Sequence, residues 1–249
     1  MKFPFVTEAA TFLARPNRYR IEARLAASGA VIAAHCPNPG RLGELLVPGA
    51  TVHVSRATNP ERRTAYDLRF VEHPAHGELV SLDTRLPNQL FAEGLQQQFF
   101  APFVGYTEFR QEVTLPHTAN HGATAKVRSR IDFQLFNHAG THCWVEVKSA
   151  SLVVDGCARF PDAVTARGRR HVLELTTLAA NGERCAIVFI VQRADAHALR
   201  PQWETDPAFG EALTQAQSQG VAIYAYTCTL TVTEVHLQRA IPVYVDQHS

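Results

Sequence analysis

The sequence predicts a chain of mixed class, α+β passing into α/β, in two parts: a small β-barrel over residues 1–86 and an α/β domain over 87–249. Three observations lead there. Between Phe12 and Arg85 short strand-like runs are separated by turn residues. From residue 88 the hydrophobic periodicity reads helix, strand, strand, strand, helix, strand, helix, strand, an αβββαβ order with one further helix and strand. At the centre, residues 129–151 form two runs of period-two alternation around Asn137-His138-Ala139-Gly140, a hairpin whose polar positions include an aspartate, a glutamate and a lysine.

In the first part the expected strands are 18–25, 30–36, 50–57, 64–72 and 78–84. Five short strands in so few residues read as an OB-like barrel, a fold that commonly binds single strands on an open face. The connection 37–49 is expected to hold a short helix between turns, given its prolines and glycines at the ends. Arg18, Arg20 and Arg24 share one face of the first expected strand, with Tyr19 on the other, and Arg41, Arg62 and Arg63 fall in loops. They are either solubilising arginines or a phosphate-tracking surface.

Leu86-Pro87-Asn88 marks the boundary, and the next helix is expected over 89–100 with Asn88 as its N-cap. Leu90, Phe91, Leu95 and Phe99 make its apolar stripe, and Glu93 lies on the other side. A strand follows at 107–115, then a loop with His117 and His121. Pro116, Asn120 and Gly122 argue against a helix there, and so against a two-histidine metal site. In the hairpin Ile131, Phe133 and Leu135 face one way and Asp132 the other, while Glu146 and Lys148 share a face. Paired strands would bring Asp132 and Glu146 to roughly 5 Å between Cβ atoms.

Beyond Asp155-Gly156 a helix is expected over 165–180, with Val172, Leu175 and Leu178 inward and Arg167, Arg169 and Arg170 crowding its first turns. Cations there oppose the helix dipole, a conflict that a nucleic-acid phosphate would relieve; solvent and Asp162 offer a blander neutralisation. Residues 186–191 are an unbroken apolar run, a strand buried on both faces, ending at Gln192-Arg193, where sites of α/β sheets collect. A last helix over 207–219 and a strand over 221–226 complete the chain.

With 46% hydrophobic and 19% charged residues and a formal net charge of +1, the chain is an ordinary globular protein. A strongly basic architectural protein is excluded, so any nucleic-acid surface must be a local patch. The five cysteines are odd in number, scattered and without a C-x-x-C pair, which reads as reduced thiols in a cytoplasmic protein. Neither a signal-peptide core nor a membrane span is expected. Two adjacent carboxylates repel unless a proton or cation lies between them. Hard oxygen ligands with room for water suit Mg²⁺ or Mn²⁺, and Lys148 beside them can orient a water or neutralise a phosphate.

This constellation resembles the PD-(D/E)XK nuclease superfamily: Asp132, a turn, then Glu146-Val147-Lys148 as the E-x-K element. Ile131 replaces the motif's proline, which does no chemistry, and Pro161-Asp162 follows E-x-K, the wrong order for that role. A longer set of runs, Arg-Pro-Asn-Arg (15–18), Ala-His-Cys-Pro-Asn-Pro-Gly-Arg (34–41), Ser-Arg-Ile-Asp-Phe (129–133), Val-Glu-Val-Lys-Ser (145–149), Phe-Pro-Asp-Ala-Val-Thr-Ala-Arg-Gly (160–168) and Val-Gln-Arg (191–193), is similar to the sugar fermentation stimulation protein A family, SfsA. The resemblance implies a bacterial DNA-binding protein with an OB-like domain before a nuclease-like one. It also implies two functions from different classes: a metal-dependent nuclease on DNA or RNA, or a DNA-binding regulator of maltose metabolism whose nuclease site is vestigial. In the nuclease reading Asp132, Glu146 and the Val147 carbonyl hold the metal and Lys148 positions the attacking water. Glu93 adds a further carboxylate, with Glu108 and Glu112 competing for that place. Arg18, Arg20, Arg41, Arg167, Arg169, Arg170 and Arg193 are the expected nucleic-acid contacts. Substrate type and oligomeric state, a homodimer included, are left open.

Overall fold

The computed structural model describes residues 1–59, 61–116 and 129–247. Strands β1 (Glu8–Asn17), β2 (Arg20–Leu25), β3 (Val31–His35), β4 (Thr51–Arg56), β5 (Tyr66–Glu72) and β6 (Leu79–Ser81) lie in the order β3-β2-β1-β4-β5-β6. A parallel pairing of Ala34 with Tyr66 and His35 with Asp67 joins β3 to β5, so β1–β5 close into the OB barrel. Closure demands bending, and β1 supplies it with register shifts between Phe12 and Ala14 and between Ala14 and Asn17. Alternate residues point inward, among them Ala10, Phe12, Ile21, Ala23, Val52 and Val54.

The first strand therefore begins ten residues before the expected one, and Arg18 and Tyr19 form the turn into β2 instead of strand faces. The run 78–84, expected as a barrel strand, contributes β6, an addition at the sheet's edge. No helix forms in 37–49. The chain makes a turn there, with Leu42 at φ 53° and the Leu46 amide donating to its carbonyl, and Leu42 and Leu45 join the barrel core.

The second domain has α1 (Leu86–Gln96), β7 (Tyr106–Thr114), β8 (Arg130–Asn137), β9 (His142–Ala150), β10 (Leu152–Val154), β11 (Cys157–Phe160), α2 (Ala166–Ala180), β12 (Arg184–Val191), β13 (Ala198–Pro201), α3 (Pro207–Ser218), β14 (Ala222–Leu230) and β15 (Val235–Ile241). Its main sheet runs β15-β14-β12-β9-β8-β7, with β9, β12 and β14 parallel at the centre and antiparallel strands outside. Phe91 of α1 packs with Phe100 and Phe133 on one face, and Val172 and Leu175 of α2 and Leu213 of α3 pack on the other. β12 lies between two parallel neighbours under both layers, and all its residues after Arg184 are buried.

Helix α1 starts at Leu86 with Pro87 in its first turn, where a missing N–H costs nothing. Arg85 is its N-cap residue, so Asn88 is inside the helix with its side chain free for other work. The small sheet β10-β11-β13 was not expected. It carries the chain from β9 to α2 and ends at Phe160-Pro161, a cis peptide. Among the described residues no helix is long and apolar enough to cross a membrane.

The two parts interlock. The Met1 ammonium donates to the Val235 carbonyl (2.7 Å), and Met1 and Phe3 pack against the α1 side of the main sheet. From the other side, the Asp162 carboxylate accepts from the backbone N–H groups of Arg41 and Leu42 in the barrel.

Candidate active site

The β8–β9 ladder runs from Phe136↔His142 to Phe133↔Val145, while β8 stays paired with β7 as far as Thr114↔Arg130. Past Phe133 the ladder to β9 is replaced by a side chain: Asp132 Oδ2 accepts from the Val147 N–H at 2.8 Å. Its other oxygen, Oδ1, accepts from Asn88 Nδ2 of α1 at 2.9 Å. Val147 thus presents its backbone toward β8, consistent with the Gln192 N–H donating to the Ala150 carbonyl on the opposite, β12 side of β9. The Val147 carbonyl lies on that same open edge.

Glu146 is buried beside this opening. Its Oε1 receives both Lys148 Nζ and His171 Nδ1, each at 2.5 Å, and its Oε2 is buried with no hydrogen-bond partner among the described residues. Burial and the neighbouring Glu146 charge push the Asp132 carboxyl up to about 6, against the opposing pull of Lys148, Val147 and Asn88. Burial would raise Glu146 too, but Lys148 and His171 outweigh it and hold that carboxyl well below the usual range. One oxygen is left without a donor and one carboxylate is held near neutral pH, which is how two acids behave where a cation belongs.

His171 and Glu174 lie three apart on one face of α2, within a buried stripe that also holds Val172 and Leu175. Glu174 Oε1 accepts from Ser129 Oγ at 2.6 Å, and Arg170 Nε donates to the same hydroxyl at 3.2 Å. Behind Lys148, Gln192 Nε2 donates to Ser149 Oγ at 2.7 Å. Asn88 and His171 are the residues that sequence reasoning missed. The available signal was an i, i+3 polar pair set in an apolar stripe, since buried polar groups need partners.

Lys148 and Val147 open onto a cleft of about 340 Å³ between barrel and second domain, lined also by Arg18, Asn38, Arg159 and Val164. Asp132, Glu146 and Lys148 are brought together, and Arg18 reaches the cleft. Arg20 is exposed and paired with Glu22 at 3.2 Å; Arg41 is exposed on the loop. Arg167 and Arg169 are exposed at the start of α2, and Arg170 turns to Ser129 and Glu174.

Glu93 does not join the cluster: it meets the Met1 ammonium at 3.4 Å and Gln97, because α1 turns it away from Asn88. Glu108 and Glu112 are exposed on β7, and Glu112 pairs with Arg130 at 3.6 Å. Arg193, expected as a nucleic-acid contact, is 2% exposed and held by Asp195 through Nε at 2.9 Å and Nη2 at 2.5 Å. The same guanidinium reaches His76 at 3.4 Å, so the nearby group of His76, Glu78 and Asp195 already holds a cation of its own. His117 and His121 lie outside the described residues.

Residues 13–82 match the SfsA N-terminal OB domain, and residues 85–234 match the sugar fermentation stimulation protein RE domain. The chain belongs to the SfsA family. It is 44% identical over 229 residues to a sugar fermentation stimulation protein homolog of Moorella thermoacetica, covering 92% of each chain. It is 38% identical over 243 residues to one of Geobacter sulfurreducens, covering 98% of each. Among solved structures, Pyrococcus furiosus SfsA in complex with Ca²⁺ is 28% identical, with a TM-score of 0.80 over 98% of this chain and 99% of that one. The second domain of this SfsA chain carries Asp132 and the Glu146-x-Lys148 element on the neighbouring strands β8 and β9.

Proposed function

We propose that this protein is a divalent-metal-dependent nuclease acting on DNA or RNA. The observation that carries the reading is Glu146 Oε2, a buried carboxylate oxygen without a donor, set beside Asp132 and flanked by Lys148. Asp132, Glu146 and the Val147 carbonyl are the oxygens that would hold the ion, and a hard cation such as Mg²⁺ or Mn²⁺ suits them. The Ca²⁺ with which P. furiosus SfsA forms its complex is a hard cation of the same kind. When bound, such an ion acts as a Lewis acid on a phosphoryl oxygen and lowers the pKa of a water ligand.

The remaining work belongs to the chain's own side chains. Lys148 brings an ammonium to the wall of the cleft, where it orients the attacking water and offsets charge growing on the phosphate. His171 and Lys148 fix the direction of the Glu146 carboxylate from two sides. Asn88 and the Val147 N–H do the same for Asp132, so both acids are held in place before substrate arrives.

The test is incubation of purified protein with labelled single-stranded and duplex DNA and RNA in Mg²⁺, Mn²⁺ or EDTA. Cleavage is expected with metal and none in EDTA, and Asp132→Ala, Glu146→Ala and Lys148→Ala should each abolish it while still unfolding cooperatively. Residual cleavage in all three variants would trace the activity to a contaminant or another site. A wild type that cuts nothing with any metal but binds DNA would favour the regulator with an inert site.

A further inference from the structure

Beside the cleft lies a second depression, about 470 Å³, lined by His35, Pro37, Thr58, Asp67 and the guanidinium groups of Arg62, Arg69 and Arg85. Asp67 answers Arg62 at 2.7 Å and Arg69 at 3.2 Å, and Asp83 answers Arg85 at 2.8 Å. Three guanidinium groups thus face two carboxylates, leaving an excess of positive charge in a concave site. The two depressions share a wall. Pro37 and Arg85 line the basin and their chain neighbours Asn38 and Thr84 line the cleft, with Thr84 Oγ1 donating to the Pro37 carbonyl at 3.2 Å between them.

A cleft of about 340 Å³ is at the small end of ligand sites, the scale of a few unstacked nucleotides. Sites for single strands combine a basic groove with aromatic side chains on which bases stack. Tyr19, 56% exposed, stands between Arg18, which lines the cleft, and Arg20.

We propose that the ligand is one unpaired strand of nucleic acid, its phosphates held in the basin of Arg62, Arg69 and Arg85 and its backbone led over the Pro37–Thr84 bridge into the cleft beside Lys148. The inference rests on the nuclease reading only for what happens at Lys148. The strand path itself requires no cleavage.

Binding is measured in EDTA, where nothing is cut, by anisotropy of labelled fifteen-residue single-stranded DNA and RNA and of the blunt DNA duplex across a salt series. Wild type should prefer single strands at least about tenfold over duplex. The double variant Arg62→Ala/Arg85→Ala should lose about tenfold in single-strand affinity and about 1.4 in salt slope, two phosphates at about 0.7 each. Tyr19→Ala, exposed in a turn, should also weaken single-strand binding, by threefold or more, with an unchanged slope. Circular dichroism melting checks that each variant is folded. DNA bound tenfold tighter than RNA, or the reverse, names the strand's chemistry and keeps the path. Equal or tighter duplex binding, or a folded double variant with wild-type slope, overturns it. Catalysis fails separately: single-strand preference without cleavage in any metal sinks the nuclease and leaves the path standing.

Discussion

Asp132 and Glu146 are two carboxylates a strand apart whose surroundings drive them in opposite directions, and stability must follow pH accordingly. Asp132 is raised from 3.8 to about 6, so between those values the folded chain keeps a proton that the unfolded chain has lost. Stability from this group therefore falls as pH rises through that window and stays low above it. Glu146 is depressed, so its contribution is present above its unfolded value and is lost as pH falls toward its folded one. Asp132→Asn removes the penalty and retains an acceptor for the Val147 N–H. Without metal it should be more stable than wild type by about 1–2 kcal/mol at pH 8 and by almost nothing at pH 4, read by urea unfolding at both pH values. A variant no more stable at pH 8 would show that Asp132 is ionised at little cost. His171 gives a second test at this scale. His171→Ala frees one hydrogen bond to Glu146 Oε1 and should weaken Mn²⁺ binding by about tenfold or more, read by titration calorimetry.

At the scale of elements, α2 is capped by Thr165, whose Oγ1 accepts from the Gly168 N–H at 3.1 Å, and it then carries Arg167 and Arg169 exposed in its first turn. Those cations face the positive end of the helix dipole. Arg167→Ala/Arg169→Ala should therefore be more stable by about 0.5–1 kcal/mol and yet bind nucleic acid more weakly, with a lower salt slope. A variant gaining stability at no loss of binding would put this helix outside the nucleic-acid surface. The Asp132 and E-x-K phase was legible because β8 and β9 are neighbours in sequence, joined by a short turn, so period two alone places their side chains. The strand β12 was legible from its apolar run. β1 was not, since Glu8–Asn17 mixes polar and apolar residues, contains Pro16 and is bulged where the barrel closes. Asn88 reads as a cap because caps and buried helix amides use the same residue, and only contact with Asp132 from 44 positions away distinguishes them. Arg193 reads as surface because no sequence pattern announces that it is buried with Asp195 as its partner.

At the scale of the whole molecule, the runs that define the family are far apart in sequence and meet at the joint between the domains. Arg15 donates to the carbonyls of Arg18, Asn38, Gly40 and Arg41, gathering the barrel loop that forms one wall of the cleft. Asp162, just before α2, takes the amides of Arg41 and Leu42 and sits so close to Gly40 that a Cβ there would lie 2.1 Å from its Oδ2. Glycine is needed at position 40 because another domain's carboxylate occupies the space of its missing side chain; Gly40 carries no positive φ. Gly40→Ala should accordingly cost about 1–3 kcal/mol, and Asp162→Ala a similar amount by leaving two amides without their acceptor. The two are coupled. With the carboxylate gone the alanine at position 40 has room, so the double variant should be less destabilised than the sum of the singles by about 1 kcal/mol or more. Urea unfolding of the four proteins measures that difference, and exchange of the Arg41 and Leu42 amides should quicken in Asp162→Ala. Additive costs would mean that the loop and Asp162 respond independently and that the cleft wall is held by Arg15 alone.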